Sequence, residues 1–113
     1  MDISEHKIGN VTVLNVAGQA VLTSRPERLS EVIGDRLEAG DRLFVINLED
    51  CRRMDSMGLG ALVKSYHLVT DRKGVLKLAN VPLPLRGVIS VAKLTDVMDV
   101  FDSERAAINS FGS

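Results

Sequence analysis

A chain of 113 residues, 45% hydrophobic and 26% charged, is long enough for one domain with one core and too short for two. Lysine plus arginine (14) nearly balances aspartate plus glutamate (15), and the net charge of -1 excludes nucleic-acid binding driven by counterion release. A single cysteine excludes an intramolecular disulfide or a cysteine-rich zinc site. No apolar run approaches the ~18 residues of a membrane span, and the polar start "MDISEHKIGN" lacks a signal-peptide pattern, so the expectation is a cytoplasmic protein with no direct membrane insertion.

In chain order, "ISEHKIG" and "VTVLNVAG" read as a hairpin turning at Gly9-Asn10, its second strand ended by Gly18. "SRPERLSEVIGDRLEAG" reads as a helix. Ser24 and Glu27 have capping-box spacing, Pro26 falls in the first turn, and Leu29, Val32, Ile33 and Leu37 recur at helical spacing before Gly40. "RLFVINL" is apolar almost throughout, which fits a central strand covered on both faces. After a turn, "EDCRRMD", helical spacing returns over residues 56 to 71. "DRKG" makes a turn and "VLKLAN" a short strand. Leu85, Val88, Ile89 and Ala92 mark a third helix, "VMDVF" a strand, and a short helix starts at Ser103. Strands alternating with helices predict an α/β fold with a largely parallel sheet.

Catalytic signals are few. No GxGxxG or GxxxxGK[ST] is present, and His6 and His67 have no metal-ligand spacing. Cys51 has no nearby base to lower its pKa. The expectation is a protein that is not an enzyme and uses no metal or cofactor.

The stretch that resists an ordinary explanation is "MDSMGLG". Asp and Ser are favoured helix caps, so Asp55-Ser56 reads first as a helix start. Gly58 and Gly60 are poor helix formers in a first turn. Two uses fit them: close packing of the helix start on a neighbouring strand, or a smooth surface for a partner.

Together, "INLEDCRRMDSMGLGALVKSY", "NVAG", Pro26, "LKLAN" and "KLTDVMDVF" resemble the STAS family, specifically its bacterial anti-sigma factor antagonists, from about Val11 to Phe101. The resemblance implies a single domain over residues 1–113 with a mixed, mostly parallel sheet of four to five strands and helices packed against it. It implies partner switching. The unphosphorylated antagonist binds an anti-sigma factor that is also an ATP-using serine kinase, phosphorylation releases it, and a metal-dependent serine phosphatase restores it. Carried over, the acceptor is Ser56, and Asp55, Ser56, Met57, Gly58, Leu59 and Gly60 form the docking surface. Two positions depart from the family pattern. Met57 stands where Ser or Thr is usual, and Gly18-Gln19-Ala20-Val21 replaces G-E-[LI]-D. The alternative reading is a non-switching STAS adaptor subunit of a transport or signalling complex, with Ser56 merely a cap.

Overall fold

The computed structural model describes residues 1–112. Gly9, at φ 62, turns the chain between β1 (Asp2–Ile8) and β2 (Val11–Ala20), which pair antiparallel with Ile8 opposite Val11. The first half of β2 pairs parallel with β3 (Leu43–Asn47), β3 with β5 (Val75–Ala79), and β5 with β6 (Val100–Phe101). The α/β expectation is met, with β1 as the one antiparallel strand among the described residues.

Two local expectations are corrected. β2 does not end at Gly18. That glycine adopts φ 92, the register shifts between Gly18 and Gln19, and the strand continues to Ala20. Its extension offers backbone groups to "CRRM", so the supposed turn contains a short parallel strand, β4 (Cys51–Met54), and the sheet has six strands. Ser24 and Glu27 do not form a capping box either. Ser24 Oγ accepts from Val21 N (3.2 Å) and donates to the Gln19 carbonyl (2.6 Å), closing a single 3-10 turn over Leu22–Ser24. Helix α1 (Arg28–Glu38) starts only after Pro26 and has Glu27 as an unassisted cap.

Helices α1, α2 (Ser56–Asp71) and α3 (Leu83–Val91) share one core with one face of the sheet. Strand alternation decides which side chains go there. Leu14 and Val16, Phe44 and Ile46, Leu76 and Leu78 join Leu29, Ile33, Leu62, Leu85 and Ile89. The intervening Val11, Val13, Val45 and Ala79 point to the other face, where α4 (Glu104–Asn109) covers them with Ala107. Lys77 lies on that face, 9% exposed. Its Nζ donates to Ser110 Oγ (2.7 Å) and stands 4.2 Å from the centre of the Phe111 ring.

At the opposite end of the sheet from α2's start, Asp41 is 9% exposed and ties β1 to α1. Lys7 Nζ donates to it at 2.7 Å, and Arg36 Nε lies 3.0 Å away as an ion pair without hydrogen-bond alignment. The Lys7 hydrogen bond holds the Asp41 carboxyl below the usual aspartate range against the opposing effect of burial.

Candidate partner-docking site

The β4 strand delivers the chain to Asp55, whose backbone is extended (φ -96, ψ -172) and whose N–H donates to the Ala20 carbonyl (3.2 Å). From there Asp55 Oδ1 accepts from Met57 N (2.9 Å) and Gly58 N (3.0 Å), capping α2. Its other oxygen, Oδ2, accepts from Leu22 N (2.9 Å). One carboxylate therefore caps the helix and holds the turn that follows β2. These backbone donors, Leu22 first, then Gly58 and Met57, hold the Asp55 carboxyl below its ordinary pKa.

Because Asp55 is the cap, Ser56 is not. It is the first residue of α2, it is exposed, and its hydroxyl makes no hydrogen bond to another described residue. The two glycines divide the uses left open by their spacing. Gly58 is buried, and a Cβ there would run into the carbonyl of Ala20, the same oxygen that accepts from Asp55 N. Gly60 is exposed, with nothing within 4 Å of where its Cβ would lie. Close packing explains the first, and open surface the second.

Met57 is 50% exposed, and Leu59 is half-buried with its inner side on the main core. Ser56 stands on a ridge between two grooves. One runs between α1 and α2, past Pro26, Ser30, Met57, Gly60 and Lys64. The other runs between the start of α2 and α3, past Met54, Leu59, Pro84, Gly87 and Val91. The structure thus brings Asp55, Ser56, Met57, Leu59 and Gly60 to one face, with Gly58 beneath them as the packing point.

The residues set aside in the sequence stay apart from this face. His67 is exposed on α2 with its ring edge-on to Tyr66 (5.5 Å between centres), and His6 Nε2 lies 3.4 Å from Glu104. Cys51 belongs to β4, not to a loop, and burial pushes its thiol pKa up. Among the described residues no three His, Cys, Asp or Glu side chains gather as metal ligands, and no helix is long and apolar enough to cross a membrane. Two features escaped sequence reading. The Leu22–Asp55 link joins positions 33 apart and leaves no local signal. The exposed Leu83 and Val91 of α3 did leave one: in "LPLRGVISV" they fall out of phase with the core pair Leu85 and Ile89.

A family model described as the STAS domain matches residues 2–107. The chain belongs to the STAS domain family. Among its curated relatives is the "Anti-sigma-B factor antagonist" of Bacillus subtilis (strain 168), 31% identical over 88% of each chain. The STAS fold recurs in the anti-sigma factor antagonist SpoIIAA, solved unphosphorylated (20% identity, 97% of this chain and 96% of that one, TM-score 0.83). It recurs also in that Bacillus protein's phosphorylated form (20% identity, 97% and 99%, TM-score 0.77). A sulfate transporter family protein from Wolinella succinogenes shares it as well (21% identity, 88% and 83%, TM-score 0.77). The fold alone is thus common to proteins named for different tasks, and the choice between tasks rests on the site.

Proposed function

We propose that this STAS chain is an anti-sigma factor antagonist that works by partner switching at Ser56. With Ser56 free, the chain binds an anti-sigma factor that is also a serine kinase, and so releases the sigma factor. Phosphorylation of Ser56 by that kinase ends the complex, and a metal-dependent serine phosphatase resets it. The observation that carries this reading is the division of labour at the start of α2. Asp55 does all the capping, leaving an exposed serine hydroxyl with no structural task.

The local physics supports a switch that spares the fold. A phosphate adds about -1.5 to -2 charges and three acceptor oxygens. At a helix N-terminus the dipole and the free N–H groups tolerate that anion, and the exposed side chain leaves it hydrated. Inside a complex the same group must be desolvated beside the Asp55 carboxylate, and a loss of ~4 kcal/mol weakens binding about a thousandfold. Met57 and Gly60 flank the serine and are open to a partner. Leu59 offers only its outer edge.

The test uses wild-type, Ser56→Ala and Ser56→Asp baits in lysate of the source organism, with mass spectrometry of Ser56 after incubation with ATP. Recovery of an ATP-binding anti-sigma factor by the first two baits and not the third, with phosphate appearing on wild-type Ser56, is the expected result. Equal recovery of one protein by all three baits would overturn the switch and leave the non-switching adaptor.

A further inference from the structure

We infer that the cavity between α3 and β6 binds a free apolar α-amino acid, with its side chain inside and its two charged groups at the mouth. The cavity measures about 270 Å³ and lies beyond the carboxyl ends of β5 and β6, the end at which open α/β sheets hold small molecules. Val81, Ile89, Val100 and Phe101 line it, so most of its wall is apolar. Just under the ~300–1,000 Å³ of sites for drug-sized ligands, it admits one small molecule and no folded segment. Helix α3 separates it from the partner face. Arg86, Ile89 and Ser90 border the cavity, whereas Pro84, Gly87, Val88 and Val91 border the groove beside Ser56. The two have no lining residue in common, and the site stands independently of the switch at Ser56.

The charged residues that line this cavity select its occupant. Arg86 and Asp102 line it, and both also line a wider, more polar crevice with Glu49 and Asn80, so they stand where the two spaces meet. Arg86 Nε donates to the Val81 carbonyl (3.1 Å), which pins one edge of the guanidinium. Its two Nη groups have no carboxylate within 4.0 Å among the described residues, and such a pair fits an incoming carboxylate. Asp102 likewise has no cation within 4.0 Å among the described residues, Arg86 included. It suits an ammonium, and Glu49 in the crevice adds to the negative potential there. An apolar acid would set a second carboxylate against Asp102, and an apolar amine would set a second cation against Arg86. A zwitterion with an apolar side chain matches both charges and the wall, and an α-amino acid carries all three on one carbon.

The test follows the amide NMR spectrum of the full chain during titration with L-leucine and with analogues that each lack one feature. Isocaproate lacks the ammonium, isoamylamine the carboxylate, and glycine the apolar side chain. Leucine is expected to shift the amides of Arg86, Ser90 and Asp102 saturably, and each analogue to bind at least tenfold more weakly. Asp102→Asn should weaken leucine binding at least tenfold without weakening isocaproate. Arg86→Gln should weaken leucine as much without weakening isoamylamine. Both side chains are exposed, and the dispersion of each variant's spectrum shows that it is folded. The proposal is overturned if neither leucine, valine nor phenylalanine gives saturable shifts, or if the shifts gather at the start of α2 instead. Isocaproate or isoamylamine binding as tightly as leucine would also overturn it, since the cavity would then take any small apolar ion.

Discussion

Gly58 and Gly60 are two residues apart on the same helix, and alanine at each should move stability in opposite directions. At Gly58 the added methyl meets the Ala20 carbonyl, which is backbone and cannot rotate away. Either β2 and α2 separate locally or the helix start shifts. Overpacking of this kind costs about 1–3 kcal/mol. The same carbonyl accepts from Asp55 N at 3.2 Å, and disturbing that bond adds about 1 kcal/mol. Against these stands a helix-propensity gain of at most about 1 kcal/mol for replacing glycine. The balance is a net loss of about 2 kcal/mol for Gly58→Ala.

At Gly60 only the propensity gain applies, because its Cβ position is open. Gly60→Ala should therefore gain up to about 1 kcal/mol. Urea unfolding followed by circular dichroism reads both changes as shifts in midpoint, since the slope for a chain of this size is about 1–3 kcal/mol per molar. The same two variants separate packing from docking. Gly60→Ala, more stable than wild type, should bind the partner more weakly because it places a methyl on the docking face. Gly58→Ala as stable as wild type would refute the close-packing account of α2's start.

Asp55→Ala should lower the unfolding midpoint at pH 7 by releasing the N–H groups of Met57, Gly58 and Leu22 at once. The Asp55 pKa is depressed on folding, so its contribution is present above the unfolded pKa of about 4 and lost as pH falls through the lower folded value; the gap between wild type and Asp55→Ala should narrow below pH 4. Asp41→Asn should cost about 2 kcal/mol in the same urea assay, the usual scale of hydrogen bonds to charged groups, reduced because Lys7 and Arg36 remain half in solvent. That loss should also shrink in acid, since the Asp41 pKa is likewise held down. Cys51 should resist a thiol reagent at pH 8 in the folded protein and react at once in 6 M urea, because burial both shields the thiol and raises its pKa.

What was legible in the sequence follows the range of the forces involved. The two-face burial of Leu43–Asn47, the span of α2 and the stop at Gly40 all depend on local periodicity or on a backbone conformation one residue sets. β4 was not legible because its four residues are half charged, and only the run of β2 past Gly18 gives them a partner. Ser24 was misread for a related reason: a serine followed three residues later by glutamate fits a capping box, but the Gln19 carbonyl and Val21 N–H were nearer claimants. At the site, the residue types were visible and their assignment was not. Asp55 and Ser56 are both good caps, and only the extended backbone at 55, together with the Leu22 N–H waiting for Oδ2, settles which one caps.

That settlement bears on how the proposed switch would work in this chain in particular. With Glu27 beside Ser56 already paired with Arg25, and Asp55 engaged by backbone donors, the unmodified face has little free negative charge. A phosphate on Ser56 would then be the dominant anion of the face, adding up to about two negative charges beside the Asp55 carboxylate. At ~7 Å from one carboxylate, two charges repel by about 1 kcal/mol in bulk-water dielectric and about 5 kcal/mol at the effective dielectric of a protein surface. The low figure gives less than a tenfold effect, and the high one more than a thousandfold. A switch based on this repulsion must therefore exclude water from around the phosphate. The apolar walls beside Ser56, Met57 on one side with Met54 and Leu59 on the other, are placed to do so once a partner closes over them. Replacing Met57 by serine, the type usual in the family, should keep binding of the unmodified chain within a fewfold and weaken the response to phosphate, by letting water into the site. A Met57→Ser variant that discriminates Ser56 from phospho-Ser56 as sharply as wild type would show that desolvation by this side chain is not what gives the switch its strength.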